Sequence, residues 1–140
     1  MRARRAGVWM LFAFLVACGG GNGTTTTPSS TPPTSTRISS TAVLKVLAPQ
    51  PGETVKGPKF VVKVEVTGAR ILTAASTDLR PDTGHVHLAV DGVTKTILAG
   101  NSYELTDLTP GPHLLQAEFA AADHGPFNPR VIQTVTFTVE

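Results

Sequence analysis

The sequence predicts an all-β domain in the C-terminal part of a 140-residue chain. Apolar and polar residues alternate with a period of two in several short segments, as in strands that bury one face and expose the other. Turn signals such as Asp91-Gly92 and Pro110-Gly111 separate these segments. No stretch of the sequence has a sustained helical period. The 99 residues of 42–140 suffice for one domain with one hydrophobic core.

Alternation and turn signals together predict seven strands, at residues 43–47, 60–66, 85–90, 93–98, 102–106, 113–121 and 131–139. A Pro-Gly turn breaks the chain after the first strand, as in many bacterial immunoglobulin-like modules. Asp91-Gly92 suits a two-residue hairpin turn, which requires positive φ angles. Seven short strands in about 100 residues indicate an immunoglobulin-like antiparallel β-sandwich. Gly92 and Gly111 are expected to serve structural roles in its turns.

The N-terminus has the pattern of an export signal. Three arginines, Arg2, Arg4 and Arg5, precede twelve apolar or small residues at 6–17. This run is too short to span a bilayer, which takes about 20 residues, but it has the length of a signal-peptide core. Cys18, the only cysteine of the chain, follows at once.

The ending Leu15-Val16-Ala17-Cys18 resembles the lipobox of bacterial lipoproteins. The resemblance implies removal of residues 1–17, acylation of Cys18, and a lipid-anchored protein of the bacterial cell envelope. Because Gly19 rather than Asp follows the cysteine, the outer membrane is expected where the organism has two membranes. An ordinary signal peptide with an unmodified thiol, or a short membrane anchor, is the alternative. Acylation would leave no thiol for disulfides, catalysis or metal binding.

Residues 18–41 are rich in Gly, Thr, Ser and Pro, with Ile38 as their only large apolar residue. Such a composition cannot bury enough surface to order itself, so we expect a disordered tether. A coil of this length spans roughly 25–30 Å. Without residues 1–17 the chain carries nine Lys and Arg (12 − 3) against ten Asp and Glu. This near-neutral balance argues against nucleic-acid binding.

Four histidines are the candidates for chemistry. His85 and His87 are two apart on a predicted strand, so both point to one face. In an immunoglobulin-like fold the strand at 113–121 runs antiparallel beside it, which brings His124 near both rings. Three imidazoles around one point, with Asp123 orienting one of them, would suit Zn²⁺ or Cu²⁺. The alternative is that these histidines only hydrogen-bond loop backbone.

Three segments around these histidines resemble one family of bacterial extracytoplasmic domains of unknown function. They are GHVHLAVDG at 84–92, LTPGPH at 108–113 and DHGPFNP at 123–129. The family pattern reads GHxHLxxD, LxPGxHxLxxxL and a segment like DHxPxxP, and the match extends over about residues 55–139. The resemblance implies the fold and the position of the site, but no reaction.

Three other features are candidates for smaller roles. His113 follows a Pro-Gly-Pro corner, and we expect its ring to tie that corner to nearby backbone. The connection at 68–83 exceeds the usual loop length, and such loops are often functional. Phe127 is either an exposed anchor for a partner or a plug for the end of the sandwich.

Three hypotheses about function follow. The first is a lipid-anchored binding module whose histidines hold a transition metal. The second is a metal-free adhesion or assembly module that contacts another envelope protein. The third, a hydrolase that uses a three-histidine metal to activate water, is disfavoured because the sequence offers no general base or catalytic motif. We therefore expect that the chain is not an enzyme.

Overall fold

The computed structural model describes residues 36–140, and every regular element in that range is a β-strand. The strands are β1 (Val43–Ala48), β2 (Thr54–Val55), β3 (Phe60–Thr67), β4 (Arg70–Ile71), β5 (Thr83–Val90), β6 (Val93–Leu98), β7 (Ser102–Leu105), β8 (Gly111–Ala121) and β9 (Val131–Val139). The all-β prediction is confirmed. Residues 36–140 contain no helix of sufficient length and apolarity to cross a membrane.

The signal peptide predicted at 1–17, the predicted lipidation site Cys18 and the predicted tether up to residue 35 lie outside the described residues.

The strands form two sheets. The smaller sheet has the order β1-β3-β7, and the larger has the order β2-β9-β8-β5. On the far edge of β5, β4 pairs with its first residues and β6 with the remainder. The two sheets enclose one hydrophobic core. This architecture is the immunoglobulin-like sandwich that the sequence predicts.

Strands β6 and β9 have the predicted bounds, and β7 ends one residue before the predicted end. Two short strands were not predicted. Thr54 and Val55 pair in parallel with the end of β9, and β4 pairs in parallel with the start of β5. Two-residue strands depend on the partner that the fold brings beside them, so local alternation does not reveal them.

The core holds the apolar face of each long strand. Val62 and Val64 of β3 share one buried cluster with Leu88 of β5 and Leu115 of β8, and all four are at most 1% exposed. Phe119 of β8, in the larger sheet, belongs to the same cluster. Alternation along the strands therefore identified the inward residues correctly.

The chain joins the domain before residue 42. Ile38 packs against the core, and its carbonyl accepts a hydrogen bond from the backbone N–H of Asn128 at 2.9 Å. The Thr41 hydroxyl donates to the carbonyl of Gly68 at 2.7 Å. The last residues of the predicted tether thus pack on the domain. Their contacts with residues far along the chain offset the entropy cost of ordering them, and composition alone does not reveal such contacts.

Candidate functional site: a histidine cluster at one end of the larger sheet

Strands β5 and β8 position the first two histidines of the site. They pair antiparallel, with His85 opposite Ala120 and His87 opposite Glu118. Both rings lie on the face of β5 turned away from the core, since Val86 and Leu88 point inward. The end of β8 thus lies beside the start of β5, which is the arrangement expected from the sequence.

A tight turn after β8 brings in the third histidine. Strand β8 ends at Ala121, whose N–H donates to Gly125 O and whose carbonyl accepts from the N–H of His124, both at 2.8 Å. His124 has φ = 64°, in the left-handed region that few non-glycine residues adopt. Its ring therefore folds back over β5 because of the turn, and not because the strand continues in phase as expected.

The structure brings His85, His87 and His124 together. The His87 Nε2 and His124 Nδ1 atoms lie 3.1 Å apart. The rings of His85 and His124 stack, with centroids 4.2 Å apart and planes inclined by 18°. His87 and His124 are both partly exposed, whereas His85 is only 2% exposed.

The surroundings of His85 are those of a structural residue and differ from those expected of the metal ligand that the sequence analysis proposed. Its Nδ1 lies 3.1 Å from the carbonyl oxygen of Leu72, and its Nε2 lies 3.3 Å from that of Ala122. Both ring nitrogens therefore face carbonyl oxygens of the loop backbone. The ring instead links the β4–β5 loop to the β8–β9 loop. The Ser76 N–H reinforces this link by donating to Ala122 O at 2.9 Å.

Asp123 does not orient an imidazole, as had been expected, but binds Arg37. Two guanidinium nitrogens of Arg37 contact the two carboxylate oxygens at 2.7 and 2.8 Å. Arg37 also donates through Nε to Pro126 O at 2.8 Å. The hydrogen bonds from Arg37, and then the one from the Gly125 N–H, hold the pKa of Asp123 well below its usual range. Nothing in the sequence pattern indicates this pair, whose members are 86 residues apart.

The surroundings of His87 disfavour its charged form. Burial lowers the pKa of His87, and the neighbouring imidazole of His124 lowers it further, while Glu118 opposes the change. Glu118 is itself paired with Arg130, whose Nε donates to it at 2.8 Å. The lowered pKa favours the neutral ring, which is the form that binds a metal ion.

Within residues 36–140, no group of three or more His, Cys, Asp or Glu side chains is arranged to hold a metal ion. The three-histidine centre that the sequence suggested is thus reduced to the pair His87 and His124. A cavity of about 230 Å³ adjoins the cluster. Its lining includes His85, His124, loop residues 72–75 and residues 97–99.

His113 lies at the corner between β7 and β8, apart from the other three histidines. Its Nε2 is 2.8 Å from Thr109 O, and its Nδ1 is 2.7 Å from the carboxylate of Asp91. The ring stacks on Phe137, with centroids 5.5 Å apart. The hydrogen bonds to Thr109 and Asp91 raise the pKa of His113. Its contacts are those of a residue that fixes the corner to the β5–β6 hairpin.

The remaining candidate residues also have defined places. Phe127 is 1% exposed and stacks on Phe119 at 5.7 Å, so the prediction of an exposed anchor is wrong and the ring closes the end of the core. Gly92 has φ = 79° in the hairpin turn beside Asp91, which has φ = 52°. Gly111 has φ = 128° at the start of β8. Both glycines adopt angles that other residues rarely take.

No family model and no curated protein matches the chain. Solved structures are similar in fold only. One is a fibronectin(III)-like module of Clostridium thermocellum CbhA, with 16% identity, a TM-score of 0.48, and coverage of 70% of this chain and 96% of that one. Another is the PKD domain of human KIAA0319, with 12% identity, a TM-score of 0.38, and coverage of 86% and 92%.

Proposed function

We propose that this chain is a lipid-anchored binding module of the bacterial cell envelope that binds a divalent transition metal ion through His87 and His124. The observation that supports it most is the distance of 3.1 Å between His87 Nε2 and His124 Nδ1 on a partly exposed surface. Two nitrogens that bind one Zn²⁺ at 2.0–2.1 Å with tetrahedral geometry lie roughly 3.3 Å apart. The two nitrogens share a hydrogen bond in the metal-free protein. Binding of one ion would replace its proton, turn the rings so that both lone pairs point to the ion, and move the nitrogens apart by a few tenths of an ångström.

The chemistry of the pair limits the choice of ion. Neutral imidazole is a good ligand for Zn²⁺, Cu²⁺ and Ni²⁺, whereas Ca²⁺ and Mg²⁺ prefer oxygen. The stacking of His85 on His124 and its two carbonyl contacts would support the pair from behind. Residues that hold ligand rings in place commonly change metal affinity by 10–100-fold when replaced.

Calorimetric titration of Zn²⁺ and Cu²⁺ into the full chain in detergent micelles tests metal binding. His87→Gln and His124→Asn each remove one imidazole, and Asn tolerates the left-handed angle of position 124. We expect sub-micromolar binding that weakens by roughly 100-fold or more in either variant. The control His113→Gln removes an imidazole elsewhere on the same sheet and should bind like the parent. A folded parent chain that binds neither ion would leave a metal-free adhesion or assembly module as the better proposal.

The lipid anchor has an independent test. Cys18→Ala should abolish incorporation of a labelled fatty acid and release the protein from the membrane fraction, because the thiol is the acceptor that the lipobox resemblance implies. The measurement is metabolic labelling followed by fractionation of the envelope. Labelling that persists in the variant would contradict lipidation at Cys18 without affecting the metal proposal.

A further inference from the structure

The histidine pair supplies two ligands, and the described chain adds no third. His85 faces two carbonyl oxygens, and Asp123 is bound by Arg37. Tetrahedral Zn²⁺ sites need four ligands. We propose that two copies of this chain share one ion, each copy contributing His87 Nε2 and His124 Nδ1. This inference rests on the proposed metal binding and adds the partner of the same site.

The position of the pair allows such an approach. Both rings are partly exposed, and the residue opposite His87 on β6 is Ile97, whose side chain is 45% exposed. A two-fold axis through the ion would place the same patch of each copy against its counterpart, as symmetric dimers require. Ile97 would then contribute apolar contact beside the ligands.

The charges around the pair do not oppose the approach. Glu118 is paired with Arg130, and Asp123 is paired with Arg37. Each of these two carboxylates is thus neutralised by an arginine of the same chain, so acidic groups of two copies would not repel each other strongly. Because the ion supplies most of the attraction, the dimer should exist only while the metal is bound.

Native mass spectrometry of the full chain, released from detergent micelles, tests the shared ion. With limiting zinc we expect a species of two chains and one ion, which separates into single chains when EDTA is added. Ile97→Arg leaves every ligand nitrogen in place but sets two cations against each other. This variant should lose the two-chain species and bind zinc more weakly, through the two imidazoles of a single chain.

The ligand count gives a second readout. With Cu²⁺, nitrogen couplings in the electron paramagnetic resonance spectrum should indicate four imidazoles for the parent chain and two for Ile97→Arg. Single chains that each hold one ion, with two nitrogens in the parent spectrum, would overturn the shared site while leaving the proposed function intact. Absence of any metal-bound species would overturn both.

Discussion

The four histidines differ in what their ring nitrogens face, and the roles proposed for them rest on this difference. His85 faces carbonyl oxygens, His113 faces a carbonyl and a carboxylate, and His87 faces His124. Only the last arrangement directs two imidazole nitrogens towards each other. The spacing in the sequence placed three rings at one end of the sheet. It did not separate ligand from structural residue, because the carbonyl groups that engage His85 come from loops whose paths the sequence leaves undefined.

The contact between His113 and Asp91 predicts a pH dependence of stability. The folded state raises the pKa of His113 from about 6.5, so its contribution is complete below that value and is lost as the pH rises through the folded pKa. The pKa of Asp91 is lowered from 3.8, chiefly by the Leu114 N–H and then by His113, so its contribution is lost only in acid. The pair therefore stabilises most between about pH 4 and 6.5.

His113→Gln should lower the free energy of unfolding by roughly 1 kcal/mol at pH 5 and by less at pH 8, since its charged partner Asp91 is half exposed to solvent. Urea unfolding of both proteins at the two pH values measures the difference. Asp91→Asn is the partner control and should show the same trend. A destabilisation by His113→Gln that is equal at both values, or larger at pH 8, would contradict the charged pair.

At the scale of elements, the long strands follow from the sequence and the connections do not. Alternation predicted the inward faces of β5 and β9, because a buried face fixes the register of a strand. The turn that carries His124 was not predicted, since it requires a left-handed histidine. Likewise, the threonine-rich composition around Arg37 did not predict its contact with Asp123, because only the fold brings these distant residues together.

One glycine permits the close approach of β5 and β8 at the site. A Cβ atom on Gly84 would lie 2.1 Å from the carbonyl oxygen of Ala120 and 2.9 Å from the ring of Phe119. Because backbone must move to admit a methyl group, Gly84→Ala should lower the free energy of unfolding by about 2–3 kcal/mol. Gly100→Ala is the matched control, with nothing within 4 Å of its added Cβ, and should change stability by less than about 0.5 kcal/mol. Equal stability of the two variants in urea unfolding would contradict this close packing.

At the scale of the whole molecule, one end of the sandwich gathers the features that distinguish this chain. The β4–β5 loop, the β8–β9 loop and residues 37–41 all meet there, joined by His85, by Arg37 and by the Ile38 carbonyl. At the opposite corner, the hydrogen bonds of His113 to Asp91 and Thr109 connect neighbouring strands and loops and have only a structural role. This division is consistent with a binding module that presents one end of its sandwich, where the His87–His124 pair is the proposed metal site.

The most direct test of the metal proposal is nuclear magnetic resonance of the full chain labelled with ¹⁵N in its histidine rings, recorded during a titration with Zn²⁺. Metal binding shifts the resonance of the nitrogen that coordinates the ion. We predict that His87 Nε2 and His124 Nδ1 shift together and saturate, while both nitrogens of His85 and His113 keep the hydrogen bonds of the metal-free protein. Rings that all stay unchanged, or a shift confined to His85 or His113, would contradict binding by the His87–His124 pair.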